Sequence, residues 1–131
     1  MTEKILITAR SFRATPGPHL DLLRDAGYEL VESPSDRPME SHAIAPLLTD
    51  VVGAILGLDK VDAAALEGAS HLKVLSRYGV GTDALDIQAA SRCKVAITVT
   101  PGVNNVAVAE LTLGLMLALA RRIPQHNATI K

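Results

Sequence analysis

The sequence has a single cysteine, Cys93, among 131 residues. That excludes a disulfide framework and a cysteine-built zinc site. Aromatic residues are almost as scarce: Phe12, Tyr28 and Tyr78, with no tryptophan. So few rings do not make a base-stacking surface. Neither sign of charge is in excess, since 13 basic against 14 acidic residues leave a net charge of −1. Without a basic field, general nucleic-acid binding is disfavoured. Long hydrophobic runs are also missing. The most apolar stretch, Val106–Ala120, has 15 residues and carries Glu110 and Thr112. It is shorter than a bilayer span and reads as a buried helix. Ile5-Leu6-Ile7 is too short for the apolar region of a secretory signal. The expected compartment is the cytoplasm, with no membrane partner.

What is present is enough for a core. Hydrophobic residues make up 48% and charged residues 21%, the balance of a globular domain. Strand-length apolar runs alternate with helix-length segments. Strands are expected at 4–9, 28–32, 51–57, 72–78 and 95–99. Helices are expected at 16–26, 40–49, 62–69, 86–93 and 105–123, the last stopped by Pro124. Continuously apolar strands in a β-α alternation predict an α/β fold. The expected sheet is parallel, five-stranded and doubly wound, flavodoxin-like or Rossmann-like, with helices on both faces. Ligands of such sheets sit outside the carboxyl ends of the strands. The loops 10–17, 57–61, 78–83 and 100–105 are therefore the candidates.

The loop Arg77-Tyr78-Gly79-Val80-Gly81 has three readings on its residues. Its glycines are compatible with a plain β–α turn. Successive N–H groups there can instead cradle an anion, with Arg77 two residues ahead as a bidentate partner. Gly79-x-Gly81-x-x-Ala84 also fits a dinucleotide fingerprint. That pattern expects an acidic residue about 20 positions on, and none occurs between Asp86 and Glu110.

Asn104 reads as a helix cap or as an amide at the ligand mouth. The following helix is apolar nearly all round, more than one sheet face requires. A second domain or a partner chain is expected to cover it, and Arg121 and Arg122 suit its carboxyl end. His19, His42, His71 and His126 lack metal-ligand spacing and read as surface residues. Cys93 reads as an ordinary thiol, Asp83 and Asp86 as caps, and Glu110 as a residue partnered by backbone or a neighbouring base. A receiver-type phosphoacceptor domain shares the strand order, but the first strand ends in Thr8-Ala9-Arg10 without an acid, and Asp59 arrives late after the third.

From Leu72 to Gln125 the motifs R-x-G-x-G-x-D, V-T-P-G and N-x-x-x-V-A-E-L follow at fixed spacing. This segment resembles the D-isomer-specific 2-hydroxyacid dehydrogenases, most of all their D-3-phosphoglycerate dehydrogenase branch. The resemblance implies an N-terminal substrate-binding (catalytic) domain over 1–104. Residues 105–131 would then be an interdomain helix and the start of a nucleotide-binding domain. It implies hydride transfer between NAD(H) and a D-2-hydroxy/2-oxo acid, with 3-phosphoglycerate among the candidates. It places the substrate carboxylate on Gly79, Val80 and Gly81, a substrate contact at Arg77, Val80 also beside the nicotinamide, and Asn104 at the reacting centre. It also implies a homodimer, or self-association through the apolar helix.

The chain departs from the family pattern in three respects. It holds no G-x-G-x-x-G nucleotide domain, and NAD would be bound mainly by that domain. The family's catalytic Arg, Glu and His lie downstream of Lys131, so this chain alone is expected to be inactive. The branch's phosphate-binding arginine is missing at the end of the third strand, which reads Leu56-Gly57-Leu58. The alternative is a standalone binding module whose partner covers Val106–Ala120.

Overall fold

The expected strands form as β1 (Lys4–Ile7), β2 (Glu29–Glu32), β3 (Gly53–Leu56), β4 (Val74–Arg77) and β5 (Ala96–Thr98). The computed structural model describes residues 2–130. The strands pair in parallel in the order β2-β1-β3-β4-β5, the flavodoxin-like arrangement. Between them run α1 (Arg10–Ala14), α2 (Pro18–Asp25), α3 (Ser41–Leu48), α4 (Ala63–Glu67) and α5 (Ile87–Arg92). Two further helices follow, α6 (Asn105–Ala120) and α7 (Ile123–Ile130). The chain divides into two compact units, one ending at Pro101 and the other beginning at Gly102. No helix among the described residues is long and apolar enough to cross a membrane.

The register explains which side chains are sealed. Leu6, Ala54 and Leu75 are aligned across β1, β3 and β4. Being aligned, they share one face of the sheet. All three are buried in a core with Ile44 and Leu48 of α3, Ala65 and Leu66 of α4, and Ala89 of α5. Two residues on from Leu75, Arg77 is on that same face, which is why a charged group ends up only 8% exposed. The opposite face is less complete. Ile7 is buried there, but Ile55, Val74 and Ser76 are only half-buried, and Ala96 and Thr98 are exposed. The expected cover on both faces is thus realised fully on one.

Two expected boundaries change. Residues 10–17 were expected as a loop, yet Arg10–Ala14 form α1, with no glycine or proline to interrupt the turn and Arg13 N–H donating to Ala9 C=O at 3.2 Å. The helix expected to run to Ile123 ends at Ala120. Arg122 takes a φ of +52°, which breaks the helical path. Pro124 does not stop a helix. It occupies the second position of α7, where its missing N–H has no helical partner to lose.

Candidate functional site

The strand order reverses between β1 and β3, and the loops leaving β1, β3 and β4 open a crevice there. A pocket of 270 Å³ occupies it, lined among others by Thr8, Arg10, Arg37, Asp59, Arg77 and Tyr78. Asp36 also faces this pocket but pairs with Arg13 and, at 4.0 Å, with Arg10. Asp59 is 2% exposed and engaged by its own donors. Arg37 has no ion-pair partner among the described residues. The pocket therefore presents net positive charge, suited to an anion.

Arg77 is largely engaged with backbone. Its Nε donates to Gly81 C=O at 3.0 Å. Its Nη1 donates to Gly57 C=O in a close contact, and lies 3.4 Å from Leu56 C=O and 3.5 Å from Tyr78 C=O. The guanidinium thus ties the end of β3 to the glycine loop. Its Nη2 has no partner among the described residues. Among the described residues no sealed side-chain nitrogen or oxygen lacks a partner, so Nη2 meets solvent.

The glycine loop is held at both ends. Gly79 N–H donates to Arg77 C=O at 2.8 Å, and Gly79 C=O accepts from Thr100 N–H at 2.9 Å. Gly79 has a φ of +152°, which a side chain tolerates poorly. A Cβ there would meet the guanidinium at an ordinary 3.6 Å, so the dihedral and not the space requires glycine. Val80 and Gly81 N–H have no acceptor among the described residues, and the Val80 side chain is exposed. Of the three N–H groups expected to bind a carboxylate, these two are free in this geometry.

The dinucleotide reading of this loop does not fit. A fingerprint loop opens directly into a helix whose N-terminus receives the pyrophosphate. Here α5 starts only at Ile87, and its first turn is capped by the Asp86 carboxylate, which accepts from Ala89 N–H at 2.8 Å. This loop therefore lacks the helix start at which a pyrophosphate would bind.

Asp59 is the residue that sequence reasoning missed. Its carboxylate accepts from the Thr8 hydroxyl in a close contact, from Met39 N–H at 2.9 Å and from Gly57 N–H at 3.1 Å. Thr8 Oγ1 also accepts from Gly57 N–H at 2.9 Å. The ends of β1 and β3 and the segment before α3 meet on this one group. A lone Asp in Gly-Leu-Asp-Lys reads as solvated, and only the hydrophobic segments flanking it hint otherwise.

Asn104 lies in the second unit. It takes the position before α6, but its side chain makes no capping hydrogen bond. Asp86 is a cap as expected, whereas Asp83 is exposed and caps nothing. Glu110 is exposed and has no hydrogen-bond partner among the described residues. His42, His71 and His126 are exposed. His19 is half-buried, bonded to Phe12 C=O at 2.8 Å and edge-on to the Phe12 ring. Phe12 also meets Tyr78, so two of the three aromatic residues sit beside the pocket. Cys93 packs against the core.

A family model described as D-isomer specific 2-hydroxyacid dehydrogenase, catalytic domain, matches residues 10–129. The chain belongs to this family. It is 37% identical over 120 residues to a glyoxylate reductase of Thermofilum pendens, a match covering 91% of this chain and 35% of that protein. It is 36% identical over 111 residues to a D-3-phosphoglycerate dehydrogenase of Rattus norvegicus, covering 84% of this chain and 20% of that one. The chain therefore spans between a fifth and about a third of these relatives. Among solved structures, the TT0316 protein of Thermus thermophilus superposes with a TM-score of 0.82 at 35% identity, over 95% of this chain and 39% of that one. The NAD⁺-bound 3-phosphoglycerate dehydrogenase of Entamoeba histolytica gives 0.73 at 27% identity, over 90% and 39%.

Proposed function

We propose that this chain is the substrate-binding part of an NAD-dependent D-2-hydroxyacid dehydrogenase. The observation that carries the reading is the pairing of two free N–H groups, Val80 and Gly81, with Arg77 as the neighbouring charged donor in a family-member chain. A carboxylate accepts from such a set with charge-assisted hydrogen bonds. The acid is docked by its carboxylate on the Gly79–Gly81 loop, with Val80 as the side chain available to a cofactor held elsewhere in a longer protein. NAD(H) would supply the hydride. Asn104 keeps its role as a substrate contact from the resemblance alone. The end of β3 and the residues after it read Ala54-Ile55-Leu56-Gly57-Leu58, without the arginine that the resemblance to the phosphoglycerate branch leads us to expect there, which favours a 2-hydroxy/2-oxo acid without a phosphate.

The test is a titration of the ¹⁵N-labelled chain with oxalate. The amide signals of Val80 and Gly81 are expected to move most, and Gly79 less, because its N–H is already bonded. Amides that stay unmoved through millimolar oxalate would sink the reading. Mixed with NADH and glyoxylate, the chain alone is expected to give no turnover.

A second reading is an interaction module. None of the residues of α6 is buried, and Val106, Leu111, Leu115 and Leu119 are each more than half exposed. Such an apolar surface invites a partner, a second copy in the homodimer reading or another protein in the module reading.

A further inference from the structure

Asp59 is buried, carries a formal charge and touches no cation among the described residues. Burying a carboxylate is unfavourable unless donors compensate it. Three donors do so, and one of them is informative. Gly57 N–H, which points at Asp59, belongs to the same peptide unit as Leu56 C=O, which faces Arg77 Nη1 at 3.4 Å. An anion at the N–H end and a cation at the C=O end polarise one peptide in the same sense, so each strengthens the other's bond. The next carbonyl, Gly57 C=O, also accepts from Nη1.

We propose that Asp59 is a positioning residue for the ligand contact of Arg77. With Thr8, it fixes the Leu56-Gly57 peptide. The fixed Leu56 C=O and the adjoining Gly57 C=O hold Nη1, and Nε is held by Gly81. With those two atoms held, Nη2 alone is presented to an incoming carboxylate. This inference rests on the proposed reading of the Arg77 and glycine-loop site. It differs from a loop-tying role, in which Asp59 would stabilise the fold and leave the guanidinium indifferent.

The experiment compares the wild-type chain with Asp59→Asn, Arg77→Lys and the double variant by ¹⁵N NMR, with oxalate as the probe. Asp59→Asn keeps the shape, removes the charge and sets an NH₂ against existing donors. It is expected to weaken oxalate about tenfold. In the double variant, oxalate affinity is expected to equal that of Arg77→Lys alone. The Arg77 Nε–H signal is expected to exchange faster with water in Asp59→Asn even without oxalate. Should Asp59→Asn fail to fold, Thr8→Val removes one arm of the same network and is expected to weaken oxalate about threefold. Thr8→Ser should stay at the wild-type value. A folded Asp59→Asn, or Thr8→Val, that binds oxalate as wild type with an unchanged Arg77 Nε–H signal overturns the proposal. If wild type itself ignores oxalate, the proposed function fails, and the Nε–H comparison still decides the role of Asp59.

Discussion

Replacing Arg77 by methionine removes its clamp, and unfolding of the ligand-free chain reads that loss alone. The side chain is 8% exposed and serves four carbonyls through Nε and Nη1. Leu56 C=O keeps the Tyr78 N–H at 2.9 Å in the variant. Gly57 and Gly81 C=O lose the one donor each has among the described residues. A bond from a charged donor contributes about 1.5–3 kcal/mol, but both carbonyls lie in half-open loops that water can reach. Methionine also fills most of the stem volume. The net loss expected is about 2–3 kcal/mol, a large fraction of the stability of a domain this size. The assay is urea unfolding followed by circular dichroism. The midpoint should fall by about 1 M with an unchanged slope. Arg77→Lys should lie between, since one ammonium cannot serve both loops. A midpoint within about 0.3 M of wild type would refute the clamp.

Two further predictions concern pH and association. Asp50 titrates below its ordinary 3.8 because the Lys4 ammonium donates to it, and Asp62 does so through Ser41 and the α4 amide of Ala65. The unfolded chain therefore binds protons at higher pH than the folded one. The stability these groups contribute is complete above 3.8 and lost as pH falls through their folded values. Urea midpoints should be level between about pH 5 and 7 and decline below about pH 4, and a midpoint rising on acidification would contradict this. The exposed leucines of α6 lead us to expect self-association, read as a sedimentation coefficient that rises with concentration across the micromolar range. A strict monomer throughout that range would exclude it.

Much of this was legible in the residues. Continuously apolar segments of strand length, spaced by helix-length ones, leave a parallel α/β sheet as the economical way to satisfy both backbone and side chains. The Arg77-x-Gly79-x-Gly81 loop announced itself because few structures need two glycines and an arginine at that spacing. The errors were local. Helix α1 was missed because its five residues carry no apolar periodicity long enough to see. Pro124 was misread because a proline starts a helix as readily as it ends one. Asp86, read as a cap, does cap α5, while Asp83, read the same way, caps no helix among the described residues, and the Asp62 cap of α4 emerges only in the structure.

The sequence by itself determined the five strands and their order along the chain, the helices between them other than α1, and the family. Each of these follows from the periodicity and composition of neighbouring residues, or from motifs carried within one stretch of chain. Only the tertiary structure decided which donors remain free. Gly79 N–H is engaged while those of Val80 and Gly81 have no acceptor among the described residues, Arg77 keeps one nitrogen without a partner there, and Asp59 is sealed beneath the pocket. Those outcomes depend on Thr8, Met39, Gly57 and Arg77 converging from β1, β3, β4 and the segment before α3. Contacts between residues some 20 to 50 positions apart leave no periodic trace along the chain. They arise when parallel strands bring their carboxyl ends together at one edge of the sheet.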